Sequence, residues 1–297
     1  MALMSVALAG CGSEPLTMIV GTYTDECASR GVYSYYFDQE KGMLVGGDGG
    51  LFTETPGAVS RVEMRNPSYL TLSADGKLVY AVSEVGDSLA SAVTLRLDSK
   101  TGAMQMLGSE LTDGKDPCYV STNGKVVMTA NYSSGNVTEF PIGEDGRLLP
   151  HDFLYDTGMG GPDSVRQNLP HAHCALFNAT GTELYVSEFS ADVVTRYDVA
   201  TRLGKRIQLP SDFGPRHIIL NTDESKAYVI GELSGNVVVI DTENDSVIQT
   251  VCADSLHARG CADIHLSPDG KFLYASVRLQ NDGIAIFKVD SDGTLTN

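Results

Sequence analysis

A short turn followed by a β-rich run recurs five times along this chain, and that recurrence constrains the fold more than any other feature. It begins as Ala74-Asp75-Gly76-Lys77 leading into Leu78-Val79-Tyr80-Ala81-Val82. It returns at Asn123-Gly124-Lys125, Thr180-Gly181-Thr182, Asp223-Glu224-Ser225 and Asp269-Gly270-Lys271, each before another β-rich run. With Gly76, Gly124, Gly181, Glu224 and Gly270 as marks, the steps are 48, 57, 43 and 46 residues. A second mark, Gly-x-Leu or Gly-x-Met, recurs near Gly42, Gly102, Gly146 and Gly293. Alternating stretches between the marks, such as Asn236-Val237-Val238-Val239-Ile240, read as strands. A period in the forties with about four strands per unit is the signature of β-propeller blades. No segment reads as an amphipathic helix, which sets aside a β/α barrel or a doubly wound sheet. The expectation is an all-β propeller whose blades form one cooperative domain.

The first repeat starts at Met18-Ile19-Val20-Gly21-Thr22, which matches the second strand of later repeats. Its innermost strand is therefore expected to be missing. Asn297 falls just inside the outer strand of the sixth repeat. An open ring would leave unpaired strand edges, so the sequence reads as a fragment lacking about one blade and a closing strand.

At the start, Met1 to Gly10 is apolar and ends in Leu8-Ala9-Gly10-Cys11, resembling the tail of a bacterial lipoprotein signal with Cys11 as the lipidated residue. The division expected is a signal-like tail and tether over 1–16 and a propeller over 17–297. That places the protein in the cell envelope or periplasm if the signal is real, and in the cytoplasm otherwise. No stretch is long enough to span a bilayer, so contact with a membrane is expected only through Cys11. With 38 acidic against 21 basic residues and a net charge of −17, nothing neutralises a nucleic-acid backbone. Five further cysteines show no zinc-ligand spacing, and neither a metal nor a cofactor is expected. Cys252 and Cys261 flank a polar loop and are open to a disulfide in an exported protein.

The turns also carry geometry. Each joins two antiparallel strands, so residues equally far before and after it should lie side by side. Eight positions back from the marks stand Ser68, His173, Arg216 and Ala262; eight forward stand Glu84, Tyr132, Phe189, Glu232 and Arg278. All belong to the end of the hairpin opposite the turn, and the innermost strands should ring one mouth of a central channel. On this count Arg216 and Glu232 are direct cross-strand neighbours. The longest step carries an inserted loop, Gly160-Gly161-Pro162 to Arg166-Gln167-Asn168, running into His171-Ala172-His173. Rim loops of repeat rings are where sites are usually placed.

Several motifs follow one order: Gly21-Thr22-Tyr23-Thr24, Asn66-Pro67-Ser68-Tyr69-Leu70, Ala130-Asn131-Tyr132, Arg166-Gln167 with Pro170-His171-Ala172-His173, Gly214-Pro215-Arg216-His217-Ile218, Glu232-Leu233 and Cys261-Ala262-Asp263-Ile264-His265. From Val20 onward the chain resembles the seven-bladed β-propeller lactonases, which include bacterial 6-phosphogluconolactonases and fungal carboxy-muconate cyclases. The resemblance implies seven blades, of which about six are present with the closing C-terminal part missing. It implies a site of one His, two Arg and one Glu, which map to His173 (with His171 behind it), Arg216, Arg278 and Glu232. Ser276 and Val277 before Arg278 depart from the family's Asn or Asp.

The function expected from this resemblance is hydrolysis of an anionic small-molecule sugar lactone, 6-phosphogluconolactone first among them. A carboxylate beside a guanidinium stays ionised, which suits Glu232 to act as general base, with His173 sharing that role. Arg216 and Arg278 would hold the substrate anion or the developing oxyanion. Arg166, His171, Glu84 and Tyr132 are substrate-binding candidates. His217 and His265 read as packing or satisfied buried histidines. Two alternatives stay open. One is a binding or scaffold propeller at the cell surface, on the likeness of Gly235 to Thr242 to surface-layer repeats; the other is a muconate-type lactonizing cyclase.

Overall fold

The computed structural model describes Leu3–Ser5 and residues 16–40, 42–45, 57–280 and 282–296. Among the described residues, six antiparallel sheets are formed in chain order. The first joins β1 (Leu3–Ser5), β2 (Leu16–Val20), β3 (Gly31–Asp38) and β4 (Met43–Val45), while β5 (Ser60–Glu63) pairs the other half of β3. The second runs β6 (Leu70–Leu72), β7 (Leu78–Ser83), β8 (Ser91–Leu97) and β9 (Met104–Leu111). The third runs β10 (Pro117–Thr122), β11 (Val126–Asn131), β12 (Asn136–Pro141) and β13 (Phe153–Asp156). The fourth runs β14 (Ala172–Phe177), β15 (Glu183–Glu188), β16 (Val193–Asp198) and β17 (Gly204–Gln208). The fifth runs β18 (Pro215–Leu220), β19 (Lys226–Gly231), β20 (Asn236–Asp241) and β21 (Ser246–Cys252). The sixth runs β22 (Ile264–Leu266), β23 (Phe272–Val277), β24 (Gly283–Val289) and β25 (Leu295–Thr296). Among the described residues the one helical element is a 3₁₀ turn at Phe189–Ala191.

The repeat marks are backbone requirements. Gly76, Gly124, Gly181 and Gly270 all sit at φ between +68° and +83°, and Glu224 adopts the same left-handed geometry at +58°. Only glycine adopts that region freely, which is why the turn signature survives while the residues around it vary. The two marks also meet each other. The Tyr80 hydroxyl donates to the Gly146 carbonyl at 3.0 Å, and Tyr228 donates to Gly293 at 2.8 Å. A tyrosine four residues past one turn thus ties its sheet to the turn of the next.

The chain divides into two compact units, Met1–Thr129 with Thr138–Leu154, and Ala130–Val137 with Tyr155–Asn297. In the first, Val79, Ala81 and Leu95 pack with Ile19 and Val32. Tyr80 and Val82 pack with Val120, Val127 and Phe140. In the second, Tyr228, Ile230, Val237 and Val239 of the fifth sheet bury against Ile264, Leu273, Ala275 and Phe287 of the sixth. Each of these sheets therefore buries a face against its neighbour in sequence.

The first sheet differs from expectation. Its innermost place is occupied, because β1 runs antiparallel to β2 with Leu3 opposite Val20. The sequence alone assigns that stretch wholly to a tail; the open edge of β2 offers unpaired N–H and C=O groups that any short extended segment satisfies. Cys11 lies outside the described residues. Cys252 and Cys261 are both free thiols, Cys252 exposed and Cys261 buried, and burial pushes the Cys261 thiol up to about 12, helped by Asp254.

Candidate active site

In the second unit the fourth, fifth and sixth sheets bring their chemistry to the end away from the Asp-Gly turns. The strand register delivers it differently from the simple count. Pro215 pairs with Gly231 and Ile218 with Val229, so one extra residue is inserted in β18 at Arg216–His217. The fourth sheet repeats this, with Ala172 opposite Glu188 and Cys174 opposite Ser187, which leaves His173 at the irregularity. Arg216 is thus not directly opposite Glu232, whose backbone N–H donates instead to the Gly214 carbonyl at 2.9 Å. A bulge turns a side chain out of the pleat alternation. Here it swings the Arg216 guanidinium onto the carboxylate all the same, with Nε donating to Glu232 Oε2 at 2.9 Å.

Glu232 collects three guanidiniums. Arg166 Nη2 donates to its Oε1 at 2.6 Å, and Arg278 Nη2 lies 3.6 Å from Oε2. Each arginine is braced elsewhere. Arg216 Nη1 donates to the Ala262 carbonyl at 2.9 Å and Arg278 Nε to the Gly260 carbonyl at 2.9 Å. Arg166 lies over the Phe189 ring at 5.3 Å and reaches the Tyr132 hydroxyl at 3.4 Å. The Glu232 side chain is 9% exposed; Arg216 is the most enclosed of the three arginines at 17%, against 39% for Arg166 and 47% for Arg278. One enclosed carboxylate against three cations leaves a local charge of +2, within a chain that is strongly acidic as a whole.

Around this cluster stand aromatic and imidazole rings. Tyr132 and His171 stack face to face at 4.2 Å, and His171 Nδ1–H donates to the Tyr132 carbonyl at 2.7 Å. His173 meets the edges of Tyr132 at 5.5 Å and His217 at 5.3 Å. Burial, reinforced by Arg216, His217 and Arg278, holds the His173 imidazole well below its ordinary value. Burial likewise lowers His171 and His217. The His217 ring donates from Nδ1 to Asp263 Oδ1 at 2.7 Å and turns Nε2 toward Arg216 Nη1 at 3.4 Å. His265, expected to be a buried histidine, is instead about half exposed and binds Asp263 Oδ2 at 3.1 Å. Burial opposes the charge on Asp263, but the His217 and His265 hydrogen bonds outweigh it and carry the carboxyl below the usual carboxylate range.

These shifts fix a sign for stability against pH. His173 and His217 are lower in the folded state than in the unfolded chain, so the unfolded chain binds more protons below about pH 6.5. Folding therefore weakens as pH falls through that value. His265 is raised by Asp263 and acts in the opposite sense, discounted by its exposure. In denaturant unfolding followed at pH 7, 6 and 5, stability should fall, and His173→Gln should flatten the slope by up to about 1.4 kcal/mol per pH unit. An unchanged slope would mean that the buried imidazole does not titrate in that way.

Of the residues singled out from sequence, Glu232, Arg216, Arg278, His173, Arg166, His171 and Tyr132 all come together in the second unit. Arg166, expected only to touch substrate, makes the shortest contact to Glu232. Glu84 belongs to the first unit, where its carboxylate accepts the Tyr23 hydroxyl at 2.8 Å. Sequence reasoning missed what holds the Arg166 loop. Asp163 accepts the backbone N–H groups of Val165 and Arg166, both at 2.9 Å. Arg259 then clamps Asp163 at 2.6 Å and Asp212 at 2.7 Å. The only advance signal for these was the clustering of Asp, Gly and Pro in the two loops. Among the described residues no group of three His, Cys, Asp or Glu is arranged to hold a metal ion, and no helix is long and apolar enough to cross a membrane.

A family described as lactonase, 7-bladed β-propeller, matches residues 17–297. The 6-phosphogluconolactonase of Bacillus subtilis is 31% identical over 285 residues, covering 91% of this chain and 77% of the relative. The periplasmic gluconolactonase of Pseudomonas aeruginosa, a solved structure, superposes with a TM-score of 0.84 at 28% identity, covering 94% of this chain and 81% of that one. A solved Bacteroides uniformis protein, provisionally assigned as a 6-phosphogluconolactonase, reaches a TM-score of 0.87 at 43% identity, covering 95% and 81%.

Proposed function

Because the chain belongs to the seven-bladed β-propeller lactonase family, we propose that Glu232 and its three arginines are where it opens a sugar lactone to the open-chain acid. The observation that carries this is the convergence of Arg166, Arg216 and Arg278 on one enclosed carboxylate. A lactone carbonyl is already activated. Its hydrolysis needs an aimed water, an acceptor for the water's proton, and positive charge where the carbonyl oxygen becomes an oxyanion.

Glu232 accepts the proton as water adds to the carbonyl carbon. Arg216 and Arg278, both on Oε2, stabilise the tetrahedral oxyanion. Collapse breaks the ring C–O bond, the proton passes to the departing ring oxygen, and a hydroxy acid leaves. His173, kept neutral by burial and the nearby arginines, retains a ring nitrogen able to accept a proton beside Glu232. Arg166 grips the anionic part of the substrate, and the stacked Tyr132–His171 pair offers a flat wall for the sugar ring.

The substrate class is tested by measuring hydrolysis of 6-phosphogluconolactone and unphosphorylated gluconolactone side by side, corrected for spontaneous opening. A preference for the phosphorylated lactone of about tenfold or more in kcat/KM is the expected result, since each charge-assisted contact contributes about 1.5–3 kcal/mol. Activity on the plain lactone alone would keep the reaction but assign the net positive charge to the oxyanion. It would also fit a lipid-anchored protein at the cell envelope, the placement favoured by the Leu8–Cys11 stretch. No rate above background from a folded protein would overturn the proposal in favour of a binding propeller.

A further inference from the structure

We propose that Asp192 is a positioning residue for this reaction: its buried carboxylate ties the loop of Arg166 to the fixed backbone that leads into Arg216, and so aims Arg166 at Glu232. The inference rests on the lactone-site reading above and adds a residue which does not itself touch Glu232.

The position differs from its counterparts in the two sheets on either side of it in sequence. Eleven residues past Gly124 and Glu224, the third and fifth sheets carry Gly135 and Gly235, at φ +67° and +72°. The fourth sheet carries Asp192 at the same place, in the same left-handed conformation at φ +53°. A non-glycine residue there bears a backbone cost that glycine avoids. What this sheet gains is a carboxylate, and it is 2% exposed.

That carboxylate binds both sides of the site at once. Oδ1 accepts Gln167 Nε2 at 2.7 Å, the Gly214 N–H at 2.8 Å and the Phe213 N–H at 3.0 Å. Oδ2 accepts the Asp212 N–H at 2.8 Å. Gln167 follows Arg166 directly, and its Oε1 accepts the Asp163 N–H at 3.1 Å, so Asp192 holds the whole turn that aims Arg166. Gly214 leads through Pro215 to Arg216, and its carbonyl accepts the Glu232 N–H at 2.9 Å. One glycine therefore links Asp192 to the backbone of the acid and to the strand of the second arginine. Four N–H donors on a buried carboxylate form a satisfied, geometrically specific hub. The loop with Arg166 has no strand register to fix it; this hub and the Arg259 clamp hold it, together with bonds from Gln167 Nε2 to the Phe189 carbonyl at 3.0 Å and from the Gly161 N–H to the Ser190 carbonyl at 2.8 Å.

The test is a double-mutant cycle on the full chain, with whichever of the two lactones is hydrolysed faster. Asp192→Gly keeps the turn that the neighbouring sheets make with glycine and removes only the carboxylate. It should lower kcat/KM by about 10- to 100-fold, as a displacement of about 1 Å at a binding group does, with a cooperative melt retained. In the Arg166→Ala background the same change should cost less than about threefold more, because a residue acting through Arg166 has little left to position. Asp192→Asn, which keeps an oxygen for the Gln167–Phe213–Gly214 donors, should recover most of the loss.

Multiplicative effects of Asp192→Gly and Arg166→Ala would overturn the proposal, since a carboxylate needed only for folding acts independently of Arg166. If Arg166→Ala alone leaves kcat/KM unchanged, the lactone-site reading of that arginine fails first. Should Asp192→Gly not fold, Gln167→Leu cuts the loop's side-chain links to Asp192, the Phe189 carbonyl and the Asp163 N–H, and leaves the three backbone donors on the carboxylate. In the same cycle, a loss from Gln167→Leu that vanishes in the Arg166→Ala background supports the positioning role, and a multiplicative loss overturns it.

Discussion

Arg216→Ala lowers kcat/KM by about 10²–10³-fold, the cost of removing one preorganised donor to a developing oxyanion. Arg216 is the arginine for which the largest loss is expected, because its guanidinium is the most enclosed of the three and water replaces it least well. It is also held in a fixed plane by two acceptors, Glu232 Oε2 and the Ala262 carbonyl. Arg216→Lys should rescue little, since a single ammonium cannot meet both acceptors in that fork geometry. The fold should survive, because Glu232 keeps Arg166 at 2.6 Å and Arg278 at 3.6 Å and is not stranded as a lone buried charge. Steady-state kinetics beside a thermal melt checks both halves. A loss of activity that merely tracks a lost melting transition would deny Arg216 its place in the reaction.

The strands are legible in the sequence for a physical reason. Turns that force a positive φ restrict which residues can stand there, so Gly76, Gly124, Gly181 and Gly270 stay visible where strand residues drift. Even Glu224 is legible from the spacing, although the residue itself is atypical. The register is only half legible. A bulge adds one residue without altering composition or alternation enough to show, and His173 and Arg216 both sit at one. Counting from the turns therefore reaches the residues that cluster around Glu232 by a slightly wrong route, because a long side chain at a bulge still meets its partner across the strand end.

The Arg166 loop is less legible still. It has no period, and its hold on Glu232 depends on Gln167, Asp192 and Arg259, which are brought together from three separate loops. Such long-range polar attachments leave no local pattern. Asp192 does carry a signal, a side chain where the third and fifth repeats place glycine, but its meaning appears only when the four donors around it are seen. His265 departs from expectation because strand alternation puts it on the face of β22 opposite the buried Ile264, with its ring on the Asp263 carboxylate.

Glu232→Gln separates the two jobs assigned to the carboxylate, because glutamine preserves its shape and an acceptor oxygen but cannot take a proton. If Glu232 is the general base, kcat falls by about 10²–10⁴-fold, the usual worth of positioned proton transfer. Binding moves the other way. Removing the one negative charge raises the local charge of the arginine cluster from +2 to +3, so an anionic lactone should bind at least as tightly and KM should not rise. A mutation that lowers kcat without raising KM has removed an interaction made only in the transition state. Had Glu232 served simply as a clamp for the arginines, the amide would loosen Arg166 and Arg216 together, and KM would rise alongside any loss of kcat. The two patterns differ in the direction of the KM change, so one set of initial-rate measurements on the phosphorylated lactone decides between base and clamp.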